Sequence, residues 1–159
     1  MRLYDPEFKG KRKHFLLQSL AGTAAVVLLM QLQTLVASDV VLASIGATIF
    51  IAVATPQAPT SKPRFFVGGY LAGVLSGGVG ALLRDFVPEL PTALVAGIAV
   101  GLCVLAMVVF SVEHPPAAAL ALGLALTPHT LLAISLALAC VTIIAVLLHI
   151  FRPLMRNLL

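Results

Sequence analysis

The stretch that decides the fold of this chain is Glu113-His114-Pro115-Pro116-Ala117-Ala118-Ala119, a polar interruption within a long apolar region. Consecutive prolines cannot occupy a helix interior, because each lacks an N–H donor and its ring clashes with a carbonyl of the preceding turn. The sequence therefore predicts that one helix ends at or before His114 and that the next begins with Pro116. The N–H groups of Ala117–Ala119 would then stand unpaired at a helix start, which is a place that suits an anion.

The composition of the whole chain is that of an integral membrane protein. Of its 159 residues, 60% are hydrophobic and only 10% are charged, and the mean hydropathy is +1.10. A soluble domain carries about 25% charged residues, so a soluble fold is excluded. We predict an all-α, polytopic helical membrane protein with the lipid bilayer as its main partner. The small size of the chain favours a homo-oligomer.

The basic residues cluster at the N-terminus. Five of the ten Lys and Arg residues are Arg2, Lys9, Lys11, Arg12 and Lys13. Such a cluster beside an apolar run is typical of an anchor that faces anionic lipid. A nucleic-acid site would need basic residues spread over a folded surface, so no nucleic-acid partner is expected.

Six apolar segments can be marked along the chain, at 14–37, 40–55, 65–84, 92–112, 116–127 and 130–151. A membrane-spanning helix needs roughly 20 apolar residues. At 1.5 Å per residue, the second and fifth segments reach only about 24 Å and 18 Å. Whether these two short segments cross the membrane or re-enter it stays open.

The positions of Lys and Arg predict the orientation. If all six segments cross and the N-terminus is cytoplasmic, nine of the ten basic residues lie inside and only Arg84 lies outside, as the positive-inside rule favours. The predicted division is a basic cytoplasmic segment 1–13, a single transmembrane domain 14–152 and a C-terminal tail 153–159, with both termini cytoplasmic. The expected location is a bacterial inner (plasma) membrane.

Three crossings followed by three more would give a 3+3 inverted repeat, with halves 14–84 and 92–151. The short middle segment of each half opens with Ser and an acid and closes with Thr-Pro, at Ser38-Asp39 and Thr55-Pro56 in one half and around Ser111, Glu113 and Thr127-Pro128 in the other. The match covers few residues, so a coincidence remains the alternative.

Two sets of glycines are spaced by four residues. They are Gly69, Gly73 and Gly77 in the third segment and Gly97 and Gly101 in the fourth. Small residues at this spacing let helix backbones approach closely in lipid. We interpret both sets as packing faces, and either could equally be an oligomer contact.

Glu113 and His114 are ionisable residues within the apolar region, where such residues usually serve a function. His114 would orient a substrate or exchange a proton with it. In the alternative, Glu113 is an interfacial residue and His114 merely caps the broken helix. The residues alone leave both readings open.

At these residues the chain resembles the HPP integral-membrane proteins, a family named for the tripeptide at His114-Pro115-Pro116. The resemblance extends over about 43–126, through Ser44-Ile45-Gly46-Ala47, the Ala- and Pro-rich loop 54–64 and Gly68-Gly69-Tyr70, which stands where the family often has Gly-Gly-His. It implies a small multi-span protein. Some members are implicated in nitrite transport, and many have no assigned activity.

The leading functional prediction is a transporter or channel for a small inorganic anion, with nitrite suspected. The predicted substrate-binding residues are Ser44, Gly46, Thr48, Glu113, His114, Pro115, Pro116, Ala117, Ala118 and Ala119, and Lys62 and Arg64 form an anion-attracting mouth. The alternatives are a non-transporting scaffold or regulatory protein, or a membrane-embedded enzyme that uses Glu113 and His114. No metal cluster, paired carboxylates or nucleophile with a base is visible in the sequence, so no catalytic residue, metal or cofactor is predicted.

Overall fold

The computed structural model of the chain describes residues 8–31, 39–128 and 130–158. Within these ranges the protein is helical and contains no strand. The helices are α1 (Phe8–Met30), α2 (Asp39–Ala54), α3 (Pro63–Phe86), α4 (Thr92–Val109), α5 (Pro116–Leu126) and α6 (Leu131–Phe151), with short 3-10 turns at Pro59–Ser61 and Arg152–Leu154. The prediction of an all-α polytopic membrane fold is confirmed.

Helix lengths follow the predicted pattern. Among the described residues, the helical stretches Pro63–Phe86, Thr92–Val109 and Leu131–Leu154 are long and apolar enough to cross a membrane, whereas α2 and α5 are short, with 16 and 11 residues. Helix α1 begins at Phe8 and so includes basic residues that precede the predicted apolar segment 14–37. Lys and Arg are good helix formers. Positions 32–37 of that predicted segment lie outside the described residues.

Helix α4 ends at Val109, which agrees with the predicted end at or before His114, and it closes in a turn formed by its own backbone. The N–H of Val112 donates to the carbonyl of Met107 at 2.9 Å, and the N–H of Ser111 donates to that of Val108 at 3.2 Å. This is the Schellman pattern, whose left-handed position usually carries Gly. Here it carries Ser111, with φ at 52°. Residues 112–114 are not helical, and α5 begins with Pro116 as predicted.

The glycines of α3 bring its backbone onto α5. A Cβ added to Gly73 would lie 2.6 Å from the carbonyl oxygen of Ala117, and one added to Gly77 would lie 2.9 Å from that of Ala121. The contacts advance together along both chains, so α3 and α5 run parallel. The prediction that this set is a packing face is confirmed. A Cβ on Gly97 or Gly101 would meet nothing within 4 Å, so none of the described residues packs closely on that face of α4.

Helices α2 and α5 pack side by side in the interior and run antiparallel. Gly123, near the end of α5, approaches Val40 at the start of α2, while Thr48 further along α2 bonds to His114 before α5. In the second half of the chain, α4 therefore runs opposite to α1, α5 opposite to α2 and α6 opposite to α3. These directions are the ones that an inverted repeat requires, and the repeat itself stays a prediction.

The two ends of the described chain meet at one end of the bundle, which we call the basic end and define as the first half of α1, the 55–62 loop and residues 152–158. The side-chain amide of Gln18 donates to the carbonyls of Val53 at 2.6 Å and Arg156 at 3.0 Å. The N–H of Leu158 donates to the carbonyl of Ala54 at 2.8 Å. At the opposite end, Arg84 donates through Nη1 to the carbonyl of Ala125 at 3.1 Å.

Candidate functional site

The break between α4 and α5 lies well inside the bundle. His114 packs against Gly69, where an added Cβ would lie 2.5 Å from the His114 Cβ. Gly69 is six residues after the first residue of α3, which corresponds to about 9 Å along the helix. A glycine is therefore required at this position, because any larger residue would push the histidine away from α3.

Four buried polar side chains meet at this break, and we call Ser44, Thr48, Tyr70 and His114 the polar cluster. Their exposed fractions are between 0 and 1%. Thr48 Oγ1 lies 2.9 Å from His114 Nε2 and 3.0 Å from the Tyr70 hydroxyl, which in turn lies 3.2 Å from Ser44 Oγ. Ser44 and Thr48 share one face of α2 because they are four residues apart. The cluster thus joins α2, α3 and the break.

The bonding pattern indicates which atoms carry protons. Ser44 Oγ donates to the carbonyl of Val41 at 2.7 Å, and Thr48 Oγ1 donates to the carbonyl of Ser44 at 3.0 Å. A hydroxyl has only one proton, so Thr48 Oγ1 accepts from its other partners. The geometry therefore places a proton on Nε2 of His114. The single Tyr70 proton has two acceptors, Ser44 and Thr48.

The surroundings of the His114 ring are apolar and aromatic. The ring centroid of Phe66 lies 4.6 Å from that of His114, and the centroid of Tyr70 lies at 5.7 Å. The backbone N–H of His114 donates to the Met107 sulfur at 3.3 Å. The ring is therefore held in one orientation between α3 and the end of α4, and none of these contacts brings a carboxylate to it.

The start of α5 differs from the prediction. The N–H of Ala117 donates to the carbonyl of His114 at 2.9 Å, and that of Ala118 donates to the carbonyl of Pro115 at 3.0 Å. These donors were expected to be unpaired, and that expectation is wrong. The physical reason is that Pro115 already has a helical backbone conformation, with φ −50° and ψ −37°, so the chain closes a turn on itself before α5 begins.

The other predicted binding residues fall on different surfaces. Gly46 is two residues from both Ser44 and Thr48, so it lies on another side of α2, where it lines a cavity against α1. Glu113 is exposed while its neighbour His114 is buried. Of the predicted set, the structure brings together Ser44, Thr48 and His114. Pro116 and Ala117 are buried beside them. Gly46, Glu113 and Pro115 lie elsewhere.

The predicted mouth residues, Lys62 and Arg64, are exposed at the start of α3, next to the 55–62 loop at the basic end. The Arg64 guanidinium lies 4.5 Å from the centroid of the Phe65 ring, a cation–π contact. The next residue, Phe66, is the one that packs on His114. The two cations therefore stand about one turn of α3 away from the surroundings of the cluster.

Tyr70 is the member of the cluster that the sequence reasoning did not select. In the comparison with the HPP family, Tyr70 stands where the histidine of Gly-Gly-His often lies. A signal was available, because Phe66 and Tyr70 are four residues apart on a helix otherwise lined with glycine. A lone hydroxyl-bearing aromatic residue within such a face needs a hydrogen-bond partner when it is buried.

These features define a polytopic helical membrane protein with a polar cluster buried at a broken helix. The transmembrane region of the HPP family matches residues 8–159, so the chain belongs to this family. No curated protein and no solved structure matches the chain. Among the residues that the structure describes, no group of three or more His, Cys, Asp or Glu side chains could hold a metal ion.

Proposed function

We propose that this protein transports a small inorganic anion, with nitrite as the suspected substrate, along a path that passes the polar cluster. The observation that carries the proposal is the burial of His114, Tyr70, Thr48 and Ser44 together at a helix break. Polar groups within a membrane domain are costly and usually mark a substrate path. Hydroxyl and imidazole N–H groups donate to anions, and a cluster without a carboxylate does not repel them.

The positions of two exposed cations also support the transport of an anion. Lys62 and Arg64 stand at the start of α3, and cations at a pore mouth raise the local concentration of anions. In the proposal, an anion then exchanges hydrogen-bond partners with the cluster. Tyr70 is the best placed donor for this exchange, because its single proton has two acceptors in the conformation described here. Movement of α5 relative to α2 would open the cluster.

Nitrite uptake into proteoliposomes tests the proposal. We expect flux above that of protein-free vesicles, and we expect His114→Ala to remove most of the difference. His149→Ala is the matched control, since His149 is exposed near the end of α6 and does not belong to the cluster. Wild-type flux equal to that of empty vesicles would defeat the proposal, and so would flux that His114→Ala leaves unchanged.

A second candidate is a non-transporting scaffold or regulatory protein, favoured by one observation. Every buried side-chain nitrogen and oxygen among the described residues has a hydrogen-bond partner, as expected of a cluster that only fixes the packing of helices. Under this candidate, His114→Ala lowers stability and wild-type protein shows no flux. The enzyme alternative has no comparable support, since Glu113 is exposed and His114 is buried.

We also propose that the chain forms a homo-oligomer through α4. The supporting observation is the contrast between the two glycine sets, because Gly73 and Gly77 are used against α5 whereas Gly97 and Gly101 are exposed. Light scattering of the purified protein in detergent measures the mass. We expect Gly97→Leu to shift the oligomer towards monomer, while Gly78→Leu on α3 serves as the control. A monomeric wild-type protein would overturn this proposal.

A further inference from the structure

A groove runs between α1, α2 and α6 at the basic end, with a cavity volume of about 450 Å³. Its α1 wall includes Leu17, Ala21 and Ala25, which recur at helical spacing, and its α6 wall includes Leu147 and Phe151. Leu17 is 66% exposed and Phe151 is 49% exposed. Helix α1 packs mainly on α2, and this leaves the gap towards α6 open to the bilayer.

The length of the groove matches one lipid leaflet. It extends along α1 from His14 to Ala25, and these eleven steps correspond to about 16 Å. The hydrocarbon core of a bilayer is about 30 Å thick, so the groove covers half of it. With the basic end at the level of the lipid headgroups, the groove would end near the middle of the membrane.

The cross-section of the groove selects a thin occupant. A volume of about 450 Å³ over about 16 Å gives a mean cross-section of about 28 Å². A helix with side chains has a diameter of about 10 Å, hence a cross-section of about 80 Å². A helix from a second copy of the chain is therefore too wide to lie inside the groove and could only pack across its opening, whereas an extended hydrocarbon chain fits inside.

The chemistry of the walls requires that this occupant be apolar. Gln18 is the amide side chain in the wall, and it is fully engaged. Its Nε2 donates to the carbonyls of Val53 and Arg156, and its Oε1 accepts from the N–H of Arg156 at 3.0 Å. Water in the groove would find few hydrogen-bond partners, and a buried water molecule needs about two to four polar groups to bond to.

The entrance of the groove is basic. His14 lines it, Lys13 precedes His14 and is exposed, and Arg156, also exposed, is held beside Gln18 through its backbone. None of the residues that line the groove is acidic. Basic pockets between helices at this depth bind anionic headgroups. We propose that the groove is a binding site for an anionic phospholipid, with one acyl chain between α1 and α6 and the phosphate near Lys13 and Arg156.

Native mass spectrometry of the protein released from nanodiscs of equal phosphatidylglycerol and phosphatidylcholine tests this proposal, which does not depend on transport. We expect one retained phosphatidylglycerol molecule per chain, in at least fivefold excess over phosphatidylcholine. Ala21→Phe fills the groove and should abolish retention. Ala139→Phe is the control, because Ala139 is an exposed alanine of α6 that does not line the groove.

The headgroup contact is tested separately, with substitutions that leave the packing of the helices intact. Lys13→Gln combined with Arg156→Gln should reduce the preference for phosphatidylglycerol to about that for phosphatidylcholine. Lys62→Gln, at an exposed position of the neighbouring loop, should leave the preference unchanged. Three results would overturn the proposal. The first is equal retention of both lipids by the wild type, and the second is full retention of phosphatidylglycerol by Ala21→Phe. The third is a dimer in which the second chain covers the groove and no lipid is retained. The double variant decides the matter if Ala21→Phe does not fold.

Discussion

The Nε2 atom of His114 lies 2.9 Å from Oγ1 of Thr48, a residue 66 positions earlier in the chain. This bond ties the break before α5 to the middle of α2, and so it joins the two short helices of the two halves. The surroundings are otherwise apolar and could pack in several registers. A directional bond between polar groups selects one of them, because any slip would leave buried donors without acceptors.

Removal of the Thr48 hydroxyl should destabilise the protein, and retention of the hydroxyl on a smaller side chain should destabilise it much less. Thr48→Val leaves the Nε2–H of His114 without its acceptor and removes one of the two acceptors of the Tyr70 hydroxyl. We expect a loss of about 1–2 kcal/mol in the free energy of unfolding. Thr48→Ser keeps the oxygen and should lose less than half as much. Thermal unfolding in detergent compares the variants, and equal losses would contradict a hydrogen-bonding role.

Substitution of Gly73 should separate α3 from α5. A Cβ at this position would lie 2.6 Å from a backbone oxygen of α5, which cannot move aside as a flexible side chain can. We expect Gly73→Ala to destabilise the protein by about 1–3 kcal/mol. Gly78→Ala in the same helix is the matched control, because its Cβ would meet nothing within 4 Å. There the higher helix propensity of Ala should stabilise by about 0.5–1 kcal/mol. Equal effects at both sites would refute the close packing.

Substitution of Ser111 by glycine should stabilise the protein. Ser111 holds a φ of 52° in the turn that ends α4, a conformation that carries a cost of about 1–3 kcal/mol for residues other than Gly. Gly removes this strain but has more freedom when unfolded, so we expect a net gain of about 1 kcal/mol. The measurement is the unfolding temperature of Ser111→Gly. Ser111→Ala, which keeps a Cβ, should give no gain, and a gain equal to that of Gly would show that backbone strain is not the cause.

Much of the fold was predictable because it depends on local chemistry. Pro115 and Pro116 fix the break, and the apolar segments fix the number and the short lengths of the helices in the interior. The close packing of α3 followed from the spacing of its glycines. In each case the pattern lies within a few neighbouring residues. In lipid, a helix is also the only conformation in which an isolated segment pairs its own backbone N–H and C=O groups.

The site was predicted less well because its geometry depends on long-range contacts. The structure places Ser44 and Thr48 beside the His114 surroundings and Gly46 on another side of α2, and a substrate-binding role for any of them stays a prediction. The unpaired N–H groups expected at Ala117 and Ala118 are bonded to the preceding turn. The backbone of Pro115 decides that outcome, and a sequence shows that proline is present without showing which allowed conformation it adopts.

The orientation of the bundle is tested by labelling one cysteine at each end. We expect the basic end to face the cytoplasm, because short loops rich in Lys and Arg are retained there. Thr60 is exposed in the 55–62 loop, and Glu89 is exposed between α3 and α4 at the opposite end. In intact cells, a membrane-impermeant maleimide should label Glu89→Cys and should reach Thr60→Cys only after permeabilisation. The native Cys103 and Cys140 lie within helices, so unsubstituted protein gives the background. The reverse pattern would show that the basic end faces outward, and labelling of both variants in intact cells would contradict the crossing of α3.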